Sequence, residues 1–299
     1  VDQLVASLSD IALPSAFAGI VAVLATVAVE RLGGTLGGVL SSIPTTIVPA
    51  AIGLSGASLG GSMAAGDVDD FRRAMAFVPV GILLNAGYLV LWRLIPARLG
   101  LRHRTHLLAA TTIGALGAWI VAAAAIMTLH ELAQPSLVHT LVAGILAFLA
   151  GVILGIAANR TAHPAPKGAH RVGAGVLVLR GVAAAAVIGG AILLKRSGLP
   201  VASGIAAVFP VIFTTIMVAT WLAQGAQVPT GSVGPMALGT LSVSAFALLA
   251  AWLYPIMPIA PATAIAWTLS IAFVSIPAYL FLRSRRAAIR ATHQGARTA

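Results

Sequence analysis

The sequence predicts an all-α, polytopic membrane bundle of about nine helices. Three observations predict it: an apolar composition, a regular succession of spans, and an uneven split of basic residues between alternate loops. Of 299 residues, 59% are hydrophobic and 8% charged, and the mean hydropathy is +1.02. Soluble domains carry roughly 25% charged residues, so lipid is the expected solvent of this chain. A hydrocarbon core of about 30 Å takes roughly 20 helical residues at ~1.5 Å each, and nine such spans use nearly the whole sequence as a single membrane domain, 1–299.

Apolar runs bounded by charge or turn residues fall at 11–29, 33–54, 72–95, 107–128, 138–158, 174–194, 201–223, 234–254 and 262–282. The second run, GGTLGGVLSSIPTTIVPAAIGL, is rich in Gly and Pro, which weaken a helix, so a broken or re-entrant segment is the alternative there. The seventh run has the same alternative around Pro210. Trp92, Trp221, Trp252 and Trp267 sit near predicted ends, where amphipathic rings favour the headgroup zone, and Trp119 is mid-span, as a packing residue. The N-terminal VDQLVASLSD has no basic n-region, so the spans themselves are expected to drive insertion.

Net charge is +11, but the basic residues lie in loops and in the 283–299 tail, where they set topology; a nucleic-acid partner is set aside. With the N-terminus outside, 13 Lys and Arg fall on the cytoplasmic side and 4 outside, the outer ones being Arg72, Arg73, Lys195 and Arg196. The expectation is therefore N-out and C-in, in a bacterial cytoplasmic membrane, a source suggested by 16 Arg against 2 Lys in an Ala- and Gly-rich chain. The basic tail is expected to lie against anionic lipid.

A search for internal repeats aligns Gly38–Thr46 with Gly204 onward, superposing Pro44 on Pro210. LLNAGYLVLWRLIP (83–96) aligns with SVSAFALLAAWLYP (242–255), pairing Asn85 with Ser244 and Pro96 with Pro255. The chain reads as four helices (11–128), a connecting helix (138–158) and four related helices (174–282). Five crossings separate the starts of the two repeats, so they enter the membrane in opposite directions. Inverted repeats are a signature of proteins that expose a midplane site alternately to each side, and they also occur in channels. A helix with small residues leading into Ile43-Pro44 or Phe209-Pro210 and followed in the first copy by Thr, then a helix ending near Trp and Pro, resembles the small four-helix GlpM-like bacterial membrane proteins. That resemblance implies a repeat unit and no particular substrate.

Proline in a span frees a carbonyl on the preceding turn, and nearby hydroxyls either satisfy it or face a solute. Ser41, Ser42, Thr45 and Thr46 surround Pro44, and Thr214 and Thr215 follow Pro210. Asn85 is the most polar uncharged residue deep in a span; it is read either as an interhelical hydrogen-bond partner or as a substrate contact, with Ser244 as its mate. Arg180 lies about 9 Å into its span and either snorkels to the headgroups or faces a cavity, where it would favour an anion or a lipid phosphate. Glu30 beside Arg31 reads as a surface ion pair or as a proton-coupling carboxylate.

The absence of Cys removes thiolate chemistry, and no Walker A loop, GxSxG, HExxH or paired carboxylate motif occurs. His130, Glu131 and His139 do not form a metal-ligand motif. No enzyme, cofactor or metal is expected. The expected function is a secondary transporter or facilitator for a small solute, in contact with the bilayer. Alternatives are a lipid or lipid-phosphate flippase and a non-transporting subunit of an envelope complex, and a homodimer is carried as a further partner.

Overall fold

The computed structural model describes residues 11–24, 27, 44–99, 103–160 and 173–285, and every regular element among them is helical. We number them α1 (Ile11–Leu24), α2 (Ile47–Ser55), α3 (Val68–Leu99), α4 (Arg104–Ala133), α5 (Leu137–Ala158), α6 (Ala174–Arg196), α7 (Pro200–Ala206), α8 (Val211–Gln224), α9 (Gln227–Gly239), α10 (Leu241–Leu253) and α11 (Ile259–Ser270). A π-helical turn, Ile271–Ser275, continues α11 into a helix that runs to Arg285. Among the described residues seven helical segments are long and apolar enough to cross a membrane, and they correspond to the third through ninth expected runs. α1 and α2 fall in the first two runs. Ser41, Ser42, Glu30, Arg31 and the tail beyond Arg285 lie outside the described residues.

Successive spans run antiparallel, because their connections gather at two ends. At one end the amides of Ile259 and Ala260 donate to the carbonyls of Gly61 (3.0 Å) and Leu59 (2.9 Å). Lys195 pairs with Asp67 at 3.3 Å there, and Arg73 Nη1 donates to the carbonyl of Pro135 (3.1 Å). At the other end Arg93 Nη1 donates to Ala158 O (2.8 Å), Arg285 Nη2 to Arg160 O (2.7 Å), and Arg104 Nη2 to the carbonyls of Trp221 and Leu222. A helix leaves its last carbonyls unserved and carries partial negative charge there. These arginines therefore cap the helix ends of their neighbours.

α3 is the central strut and packs on α2, α4, α5, α7, α9 and α10. Of its apolar window 67% is buried, against 17% for α4. Small residues allow the neighbours this close. α5 buries only Thr140, Gly144, Ala147, Gly151 and Gly155, a stripe at helical spacing. A Cβ at Gly144 would fall on the carbonyl of Ala76, and one at Gly204 on that of Ala74. The opposite side of α5 exposes Val138, Leu146, Leu149 and Ile153, an apolar surface that in water would be a liability and in a bilayer meets acyl chains.

Among the described residues two large buried clusters fill most of the interior, beside a small third one of Leu238, Leu241 and Ala278. One gathers Leu54, Phe71, Ile192 and Tyr254, with the Phe71 and Tyr254 rings stacked at 5.1 Å. The other gathers Tyr88, Trp92, Trp119, Met217 and Trp221. Here the sequence expectation needs correction: Trp92 and Trp221 are fully buried and pack edge-to-face at 6.0 Å, whereas Trp252 and Trp267 are exposed. Position along a helix fixes a residue's depth. Whether it faces lipid or protein is set by helix rotation.

Candidate functional site

The seventh span is broken, for a local reason. Proline has no N–H and its ring clashes with the carbonyl four residues back, while the residue before it is pushed away from helical torsions. Accordingly α7 ends at Ala206, residues 207–210 form a turn, and Pro210 becomes the residue preceding α8. The freed backbone needs partners inside an apolar bundle.

Asn85 on α3 supplies one. Its Nδ2 donates to the carbonyl of Val208 at 2.8 Å, while its Oδ1 accepts from Trp119 Nε1 at 2.8 Å. Trp119 also packs edge-to-face on Phe209 at 5.1 Å. Asn85 is thus an interhelical hydrogen-bond partner, tying α3, α4 and the break together.

The hydroxyls following Pro210 extend this polar seam. Thr214 Oγ1 donates to the carbonyl of Pro210 (2.7 Å), so its lone pair takes the proton of Tyr88 Oη, 2.9 Å away. Thr215 Oγ1 donates to the carbonyl of Ile212 (2.9 Å) and accepts from Arg180 Nε at 3.3 Å. Neighbouring residues on a helix point ~100° apart. Thr214 consequently faces α3, and Thr215 faces α6. Arg180 is 4% exposed, so its head stays in the bundle rather than reaching for headgroups.

The other expected positions form separate groups. Pro44 is buried and non-helical, Thr45 and Thr46 make the following turn, and α2 starts at Ile47 without a side-chain cap from Thr46. α2 packs on α3, α6 and α10. Ser244 on α10 is buried, and its hydroxyl has no partner among the described residues; Ser203 on α7 shares that condition. No hydrogen bond joins Pro44, Thr45 or Thr46 to Asn85 or α8 among the described residues. His130 packs against Phe77, and His139 Nδ1 is hydrogen-bonded to Ser136 Oγ (2.7 Å), so both histidines have other partners.

Tyr88 and Trp119 belong to the seam and were not among the expected site residues. Tyr88 had a signal: Asn85, Tyr88 and Trp92 recur at i, i+3 and i+7 on one helix face. Trp119 had none beyond its mid-span position. Beside the seam, a cavity of about 520 Å³ opens between α4, the end of α6 and α7, with an almost wholly apolar lining that includes Trp119, Met127, Leu194 and Phe209.

This architecture defines a multi-pass helical membrane protein with a polar interruption in one span. Comparison with protein-family models, with curated proteins and with solved structures finds no match to this chain. The reading of its function therefore rests on its residues.

Proposed function

We propose that this chain is a secondary transporter or facilitator for a small solute in the bacterial cytoplasmic membrane. In this reading nine crossings, N-out and C-in, form an inverted 4+1+4 repeat. The observation that carries it is the broken seventh span, where Asn85 holds the Val208 carbonyl at the break and Tyr88, Thr214, Thr215 and buried Arg180 continue a polar seam along α8. Non-helical backbone and a buried cation are costly at membrane depth, and both recur where a pathway passes. Arg180 favours a solute that is anionic or rich in hydrogen-bond acceptors.

The inverted repeat draws support from several features. The prolines matched in sequence, Pro44 and Pro210, each precede the start of a short helix, α2 and α8. One packing pair recurs in mirrored form: α3 on α4 matches α10 on α11. A Cβ at Gly19 would lie 2.8 Å from Gly181 O, and one at Gly181 would lie 3.2 Å from Gly19 O. Such close approach of two small residues packs the first and sixth spans, the leading helices of the two repeats, against each other. The resemblance of each half to GlpM-like proteins agrees with a repeat unit and implies no substrate.

Substituted-cysteine scanning of 44–50 and 205–216 in the Cys-free chain tests the pathway. Membrane-impermeant maleimide is expected to reach several positions around Pro210, with Thr214 and Thr215 among them. If no position in either segment is alkylated from either side, the pathway is wrong. A second reading, lipid handling, is favoured by the apolar cavity beside the seam; it predicts labelling by lipid-dissolved reagents alone.

A further inference from the structure

The cavity beside the seam has the dimensions and chemistry of a site for one acyl chain. Its α4 wall runs from Trp119 to Leu132, 13 residues or about 20 Å of helix, which matches one leaflet of a ~30 Å hydrocarbon core plus its interface. Trp119 stands at the middle of α4 and Leu132 at its end. The lining is nearly all carbon, and its charge lies at the mouth, where Glu131 is exposed and α6 terminates in Lys195 and Arg196. The cavity lies on the perimeter, because Leu132 (79% exposed) and Leu199 (40% exposed) on its two sides face outward. An apolar cavity does not hold water, and one open to a bilayer fills with what surrounds it.

We propose that this cavity binds the acyl chain of a bilayer phospholipid, with the headgroup level with Glu131, Lys195 and Arg196 and the chain end against Trp119 and Phe209. The site requires only that the chain spans a bilayer, and it stands whether or not the seam conducts a solute. It also gives lipid a hold on the seam. Trp119, which the chain end touches, donates the hydrogen bond that orients Asn85, and Asn85 holds the carbonyl freed at the break. An occupied cavity braces that arrangement from the lipid side.

Five single-tryptophan chains, reconstituted in vesicles of phosphatidylcholine brominated near the chain end, test this. Trp252 is 61% exposed and reports ordinary lipid contact, while Trp92 is 0% exposed and reports the shielded interior. Trp119 is 6% exposed, so its own exposure ranks it with Trp92. The expected result is loss of Trp119 emission as large as that of Trp252, abolished by Ala202→Phe, which fills the cavity, with Trp252 quenching unchanged. Trp119 emission as protected as that of Trp92, or quenching that survives Ala202→Phe, would overturn the proposal.

A second readout leaves every tryptophan in place. Ala202→Cys is expected to react with an acyl-chain maleimide dissolved in the bilayer, and absence of that reaction would equally overturn the site. Neither readout depends on whether positions 205–216 are reached from water. Failure of the acyl site and failure of the aqueous seam are therefore separate results.

Discussion

Gly204→Val is expected to abolish recovery of folded protein. A Cβ at this position meets the carbonyl oxygen and carbonyl carbon of Ala74 on the central helix α3, and backbone cannot step aside as a flexible side chain can. Ordinary overpacking costs about 1–3 kcal/mol, and a clash between two backbones in the middle of the bundle exceeds the upper end of that range. The control is Gly117→Val on lipid-facing α4, where nothing lies within 4 Å of the added Cβ. Size-exclusion chromatography of the two variants in detergent checks the pair. A monodisperse Gly204→Val peak with wild-type yield would mean that α7 does not dock on α3 as described.

Asn85→Leu is expected to destabilise the folded protein without unfolding it. The change orphans the Val208 carbonyl and the Trp119 indole N–H together, both of which Asn85 satisfies in the native packing. Buried polar groups left unpaired cost about 1–3 kcal/mol each in soluble proteins, whereas interhelical hydrogen bonds in membranes average ~0.6 with a maximum of ~1.7 kcal/mol. The combined loss is therefore set at about 2 kcal/mol on these scales. Thermal unfolding in detergent followed by tryptophan fluorescence reads it, with a lowered midpoint and an altered Trp119 environment. Unchanged stability and unchanged emission would remove Asn85 from its role as the clasp of the break.

The sequence made the spans legible because a bilayer imposes a length and a polarity on each of them, and runs three to nine recur as seven continuous or once-broken helical segments. It also made the break legible, since Pro210 acts through its own ring and missing N–H. What it left undetermined depends on helix rotation and on contacts distant in sequence. Trp92 and Trp221 have the depth of interfacial residues, yet their faces turn inward to each other. Arg180 has a depth compatible with snorkelling, and its burial in the bundle, with Nε on Thr215 Oγ1, decides against it. The acyl-sized cavity arises where α4 meets α6 and α7, separated by the whole of α5, so no local pattern announces it.

Asn85 illustrates how far a polar residue in an apolar run can be read. Its cost in the membrane interior demands a partner, which the sequence implies, but the partner is a backbone carbonyl exposed by a proline 125 positions further on. Two features that looked like separate candidates are thus one construction. The break exposes polar backbone, and the neighbouring helices carry the groups that satisfy it. An arrangement of that kind keeps a span interrupted at membrane depth without forfeiting the surrounding packing.

The proposed pathway requires the interruption at 207–210 to be a wet, openable point in an otherwise dry bundle. Hydrogen–deuterium exchange of the unmodified protein in lipid nanodiscs tests it most directly, because exchange reads water access and local opening at each backbone amide. Peptides spanning 207–215 are expected to exchange much faster than those from the middle of α5 and α6 at equal depth. Exchange in 207–215 as slow as in those two helices would contradict it.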